Sequence, residues 1–280
     1  MPSPFLEHEG VVRLLEPLDS NGEELGGRLL GGSYDKPFVL EHDRLRYLYF
    51  SLRFIQSAMR VDDPDALDLA YTRKMMAFLL FKPRPRNLLL LGLGGGSLAK
   101  FCYRHLPATQ LVTLEIDPHV LALRDEFLVP RDDHRFSVIE GDGARYVAEH
   151  AGETDVLLVD TFNESGVAPS LADGDFFGHA HRCLASDGIL VMNVAGNKTA
   201  YAPHVERISQ QFDGRVIAIS VRDDANFILF AFKDPAFEPR WKWLTAGAAE
   251  LRNRFGLDFH QFARQLERGH RQRLARRIAV

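Results

Sequence analysis

Leu88-Leu-Leu-Leu-Gly-Leu-Gly-Gly-Gly-Ser-Leu-Ala-Lys100 is a run of buried-strand character that opens into glycines and then into a helix pattern. Four consecutive leucines suit a strand covered on both faces, because side chains alternate between the faces and neither is polar here. Gly92, Gly94 and Gly96 form a Gly-x-Gly-x-Gly turn with Gly95 inside it. Such a turn bends tightly and presents backbone N–H groups to a ligand at a helix N-terminus. The dinucleotide fingerprint would place glycine at position 97, which is Ser97. The turn reads as a nucleotide-binding turn.

About twenty residues further on, a second strand ends in Leu114-Glu115-Ile116-Asp117, which puts Glu115 where it can accept hydrogen bonds from ribose hydroxyls. Asp117 precedes Pro118-His-Val and reads as the cap of the next helix. A third strand ends in Ile139-Glu-Gly-Asp-Gly-Ala144, where Asp142 can accept from an adenine amine beside Gly143, or serve as a helix cap. The fourth ends at Asp160, followed by the loop Thr161-Phe-Asn-Glu-Ser-Gly166, which carries no strand or helix pattern. A carboxylate at that point can accept a proton from an attacking amine or hold a cationic nucleophile beside a sulfonium centre. Asp155 begins the same strand and belongs to the opposite edge of the sheet.

From Leu88 onward strands and helices alternate, with strands over 88–93, 110–117, 136–141, 155–161 and 188–194, so the sheet is parallel. The last two strands, 215–221 and 227–233, are separated by too few residues for a crossover helix and form an antiparallel hairpin. The fold class is α/β: five parallel strands plus a final antiparallel hairpin, a Rossmann-like sheet resembling that of the S-adenosylmethionine-dependent methyltransferases. Ahead of it, short strand-like runs at 11–15, 38–41 and 46–51 predict a small β-rich domain. Asp62-Asp-Pro-Asp65 is expected to cap a helix running to Lys82. The expected organisation is an N-terminal domain over 1–82, a nucleoside-binding domain over 83–235 and a helical tail over 236–280.

The chain has 280 residues, enough to bury a core without disulfides, and its only cysteines are Cys102 and Cys183. Both read as reduced core residues of a protein in the cytoplasm. The first residues lack the pattern of a signal peptide, and no run reaches the roughly eighteen apolar residues of a membrane span. Lys and Arg total 34 against 38 Asp and Glu, a net charge of −4, which argues against a chain built to grip nucleic acid. The arginine-rich stretch 268–277 reads as a solvated or subunit-contacting helix. No metal-ligand spacing occurs; His179 and His181 lie two apart and do not share a helix face.

Together, the Leu-Gly-Leu-Gly-Gly-Gly turn, Glu115-Ile-Asp117, Gly141-Asp-Gly143, Asp160 with its loop, and the segment from Leu171 through Phe176-Phe177 resemble the spermidine and spermine synthases, the polyamine aminopropyltransferases. The resemblance implies transfer of an aminopropyl group from decarboxylated S-adenosylmethionine to a polyamine amine, leaving methylthioadenosine. It implies that Glu115 binds ribose, Asp142 adenine and Asp160 the attacking amine, while Tyr71 and Gln56 line the pocket. It also implies a homo-oligomer, a dimer or tetramer. Three positions depart from the family pattern. Gly95 stands where the family carries an aspartate for the aminopropyl amine, Asn163 replaces the second acid of the Asp160 loop, and Thr72-Arg73 replaces His-Glu after the tyrosine. Glu164 is placed to restore part of the lost charge. Two alternatives stay open: methyl transfer from intact S-adenosylmethionine, which a missing aspartate at Gly95 would suit, and a noncatalytic nucleoside-binding relative.

Overall fold

A computed structural model of the chain describes residues 10–17, 19–163, 166–167, 175–195, 198–221 and 226–278. The N-terminal part is an antiparallel meander of β1 (Val11–Arg13), β2 (Phe38–His42), β3 (Leu45–Ser51) and β4 (Phe54–Arg60). Helix α1 (Gly22–Leu30) sits between β1 and β2 and was not expected; Asn21 caps it by accepting from the amides of Glu23 and Glu24. Leu29, Tyr34, Phe38, Leu40 and Tyr49 form a small core beneath that helix.

Residues 62–69 are not helical, contrary to expectation. Asp62 pairs with Arg60 at 3.2 Å rather than capping, and α2 (Ala70–Met75) starts seven residues later than the Asp62 cap would place it. The Thr72 hydroxyl donates to the Leu69 carbonyl at 2.7 Å, and Arg73 donates to the carbonyls of Leu67 and Asp68. These bonds gather the carbonyls around the helix start, and Tyr71 lands in the first turn of α2. A buried 3-10 segment, Met76–Leu80, completes the connection.

The remaining elements are β5 (Asn87–Leu91), α3 (Ser97–His105), β6 (Gln110–Glu115), α4 (Pro118–Ala122), β7 (Phe136–Glu140), α5 (Gly143–Glu149), β8 (Thr154–Val159), β9 (Phe162–Asn163), β10 (Gly166–Val167), α6 (Phe176–Cys183), β11 (Leu184–Ala195), α7 (Lys198–Gln211), β12 (Val216–Val221), β13 (Asn226–Phe232), α8 (Trp241–Phe255) and α9 (Phe259–Ile278). They build a seven-stranded sheet in the order β12-β13-β11-β8-β5-β6-β7. The pairings from β11 through β7 are parallel, and β13 runs antiparallel to both of its neighbours. This is the expected sheet. The loop after Asp160, expected without strands, contains the short antiparallel β9–β10 ladder.

The leucine run does what its composition requires. Leu88 and Leu90 join one apolar cluster with Val156, Leu158 and Val191, whereas Leu89 and Leu91 join the cluster on the other face with Leu157, Val159 and Met192. Phe255 of α8 and Phe259, Phe262 and Leu266 of α9 belong to the first cluster, as do Met59 of β4 and Met75 of α2. Cys102 and Cys183 are both buried and free. No helix among the described residues is long and apolar enough to cross a membrane.

Asp155 closes the far edge of the sheet. Its Oδ2 accepts from the amides of Arg86 at 2.6 Å and Asn87 at 3.1 Å, and its Oδ1 faces Lys82 at 3.2 Å. Burial raises its pKa, but these amides and the ammonium outweigh burial and hold the carboxyl below the usual carboxylate range. Asp155→Ala strands the two amides, while Lys82 keeps its 2.6 Å pair with Asp187, and is expected to cost about 2–4 kcal/mol, read from urea unfolding at neutral pH. Because the folded pKa is depressed, the wild-type advantage holds above the unfolded carboxylate pKa and disappears as pH falls through the folded one.

Candidate active site

The chain leaves β5 toward β6 on one side and returns to β8 on the other, so a crevice opens above the carboxyl ends of β5 and β8. Gly92 follows β5 with φ +91°, and its amide donates to the Leu114 carbonyl at 2.8 Å. A Cβ on Gly92 would stand 2.3 Å from the carbonyl oxygen of Asp160. The reciprocal tie is the Asp160 amide, which donates to the Leu91 carbonyl at 2.9 Å. The glycine turn and the candidate catalytic acid are thus held in direct backbone contact.

Gly94 and Gly96 also have positive φ, +52° and +69°. A Cβ on Gly96 would meet Val129 Cγ2 at 2.4 Å. Gly95 is confined for another reason: a Cβ there would meet Ser57 Oγ at 2.6 Å and Phe127 Cδ1 at 2.9 Å. Ser57 is fixed from β4, with its Oγ 3.2 Å from Ser97 Oγ. The Phe127 segment is fixed by two cations: Lys100 Nζ donates to the Phe127 carbonyl at 2.7 Å, and Arg46 donates to the Glu126 carbonyl. Burial pulls the Lys100 ammonium down to about 8, against the opposing charge of Asp65 and with a smaller contribution from Arg46. The wall beside Gly95 is therefore built from neutral groups packed against a backbone that leaves no room for a side chain.

Glu115 lies at the expected strand end and is 9% exposed. Its Oε2 accepts from the amides of Leu93 at 2.8 Å and Gly94 at 3.4 Å, and its Oε1 from Ile116 at 2.9 Å and Asp117 at 3.0 Å. The side chain stitches the glycine turn to the neighbouring strand. Asp117 caps α4 through the His119 amide at 2.9 Å, as expected. Asp142 caps α5, its Oδ1 accepting from the Ala144 amide at 2.8 Å. Gly143 packs against Leu91, whose Cδ2 would lie 2.9 Å from an added Cβ.

Asp160 keeps a partly accessible surface in the crevice. Tyr71 Oη donates to its Oδ2 at 3.2 Å, which brings α2 to the strand ends. Asn193 Nδ2 donates to its Oδ1 at 2.8 Å, and Asn226 Nδ2 donates in turn to Asn193 Oδ1 at 3.0 Å. Desolvation pushes the Asp160 carboxyl up to about 6, against the opposing pull of the Asn193 and Tyr71 hydrogen bonds. Sequence reading missed both asparagines; the one available signal was polarity inside the apolar run 189–195 of β11 and in the otherwise apolar β13. Thr161 Oγ1, next to the acid, is buried and has no hydrogen-bond partner.

Gln56 occupies a bulge in β4. Ser57 pairs with Leu48 and Ile55 with Tyr49, which leaves Gln56 as the extra residue. Bulges beside functional sites re-aim side chains, so simple alternation does not set its direction. Asn163 is placed only as a residue of β9, and Glu164 lies outside the described residues. Among the described residues, no group of three or more His, Cys, Asp or Glu is placed to hold a metal ion.

The Asn193 hydrogen bond stabilises the ionised carboxylate. Asn193→Leu is therefore expected to move the Asp160 titration upward by about one pH unit or more. Carboxyl 13C NMR of the two proteins reads this directly, and an unchanged titration would mean that the contact is not made to the charged form.

Residues 68–221 match the spermine/spermidine synthase domain. The chain is 37% identical over 235 residues to a polyamine aminopropyltransferase of Chromobacterium violaceum, covering 84% of this chain and 90% of that protein. It is 34% identical to a polyamine aminopropyltransferase of Neisseria meningitidis, covering 89% and 91% respectively. Among solved structures, a probable spermidine synthase from Corynebacterium glutamicum superposes with a TM-score of 0.65 at 18% identity, covering 83% of this chain and 93% of that one. By this extent of match, the chain belongs to the spermine/spermidine synthase family.

Proposed function

We propose that this protein transfers an aminopropyl group from decarboxylated S-adenosylmethionine to the amine of a polyamine, releasing methylthioadenosine. The observation that carries the reading is the Asp160 carboxylate, desolvated and held by Tyr71 and Asn193 beside a glycine turn of nucleoside-binding form. Family membership and the two aminopropyltransferase relatives support the same chemistry.

The donor supplies an electrophilic carbon next to a sulfonium. Asp160 draws the cationic amine into the crevice and accepts its proton as the nitrogen forms its bond to that carbon and the carbon–sulfur bond breaks. A carboxylate with a raised pKa is a stronger base than an exposed one, and a site with little water strengthens its attraction for two cations that repel each other. Tyr71 and Asn193 fix the two oxygens, so one face of the carboxylate is directed at the incoming amine. The backbone amides of Gly94 through Gly96 and the Asp142 oxygen not used for capping are assigned to the nucleoside. Glu115 takes the ribose by exchanging its long contact with Gly94, 3.4 Å, for a hydroxyl donor. Gln56, Asn163 and Glu164 are assigned to the path of the amine. The activity belongs to a reducing cytoplasm.

Mass spectrometry of the protein with decarboxylated S-adenosylmethionine and a panel of diamines and polyamines is expected to show methylthioadenosine together with the extended amine. Asp160→Asn should lower kcat/KM by about 10²–10⁴-fold while donor binding persists. The ionised acid is the active form, so wild-type kcat/KM should fall as pH drops through about 6. Absence of product across the panel, with donor bound, would defeat the proposal.

A second reading has one observation in its favour. Ser57 and Phe127 give the surroundings of Gly95 no carboxylate to hold the donor's amine, which also suits intact S-adenosylmethionine and methyl transfer. Tighter binding of S-adenosylhomocysteine than of methylthioadenosine would favour it. On either reading Gly95→Asp does not restore an amine contact: the new Cβ collides with Ser57 and Phe127, and calorimetry should show weaker donor binding than in wild type.

A further inference from the structure

Apart from the strand-end crevice, a cleft of about 530 Å³ lies between α2 and α9. Among the described residues its lining includes Arg73, Lys74, Arg264 and Arg268 and no acidic residue, in a chain whose acids outnumber its bases by 38 to 34. The walls are fixed. A Cβ on Gly269 would lie 2.6 Å from the Ala218 carbonyl oxygen, so α9 rests directly on the backbone of β12. Phe262 of the same helix is buried in the main core.

On the α2 side, Arg73 donates to the Leu67 and Asp68 carbonyls, and Lys74 Nζ to the Ser220 carbonyl at 2.8 Å. Carbonyls orient the Arg73 guanidinium without cancelling its charge. On the α9 side, Arg264 and Arg268 lie four residues apart on one helix face, both exposed, and neither forms an ion pair among the described residues. Like charges at that spacing repel unless an anion lies between them. Gln265 Oε1 lines the same cleft, buried and with no hydrogen-bond partner. It calls for a donor, which a bare anion lacks.

We propose that this cleft binds a small phosphorylated ligand that also carries a hydroxyl or amine donor. Arg264 and Arg268 take the phosphate oxygens, for which guanidinium groups supply paired N–H donors. The ligand's hydroxyl or amine satisfies Gln265 Oε1. The volume suits a compact metabolite, and the recessed position between two helices disfavours a nucleic-acid backbone, which needs an extended surface.

The test is calorimetry on the full chain with pyrophosphate and with ribose 5-phosphate, neither of which brings the nucleoside that the strand-end crevice would take. Saturable binding of both is expected, weakened about tenfold or more by R264Q/R268Q. Q265L should weaken ribose 5-phosphate and leave pyrophosphate unchanged. Both arginines are exposed, and a thermal melt of each variant checks that the fold is retained. The proposal is overturned if neither probe binds up to about 10 mM, if R264Q/R268Q binds as wild type does, if Q265L leaves both affinities unchanged, or if a duplex oligonucleotide binds and the small phosphates do not. The readout uses neither adenosyl donor nor amine, so it stands or falls independently of the transfer activity.

Discussion

The contact between the backbone of Gly92 and the carbonyl of Asp160 is the constraint around which the rest of the site is arranged. Two adjacent parallel strands end in loops that diverge, and the loops come this close only because one of them begins with a residue lacking a side chain. The reciprocal bond from the Asp160 amide to Leu91 fixes the acid relative to the glycine turn. Everything that approaches Asp160 from elsewhere approaches a group already held in place. Tyr71 reaches it from a short helix whose start is set by Thr72 and Arg73, and Asn193 reaches it from the next strand of the sheet.

Much of this is local and therefore legible from the residues alone. The leucine run identifies a doubly covered strand because composition decides that question, and the short spacer 222–226 decides the hairpin because no crossover fits in it. Asp117 as a cap, Asp155 at the far edge and Asp160 at the near edge each follow from the position of an acid relative to a strand. The start of α2 was misread because Asp62 has a competing partner in Arg60, and nothing in the order of the residues announces that choice. The bulge at Gln56 and the helix over 22–30 escaped for similar reasons: one depends on the pairing of β4 with β3, the other on apolar contacts with Tyr34 and Phe38.

Gly95 shows how a departure from a family pattern becomes structural. Once the side chain is gone, Ser57 and Phe127 close in, and Lys100 and Arg46 fasten the segment that carries Phe127 by its carbonyls. Arg46 also pairs with Glu41 at 2.6 Å, whereas Lys100 spends its charge on a neutral carbonyl, an unusual use because a buried ammonium is costly to desolvate. Here they fix a loop whose apolar ring must stay close to a nucleoside site without bringing a negative charge into it.

The chain of amides behind Asp160 links the site to the order of the strands. Asn193 of β11 lies opposite Ile228 of β13, and Asn226 lies opposite Ala195, so the two asparagines meet on the diagonal of one antiparallel register. A slip of β13 by one residue would turn Asn226 to the other face of the sheet and leave the Asn193 oxygen buried without a donor. The final hairpin is therefore proofread by the same hydrogen bonds that tune the acid: a molecule that closes its sheet in the wrong register also loses the asparagine pair behind Asp160, so misfolded chains are silent ones.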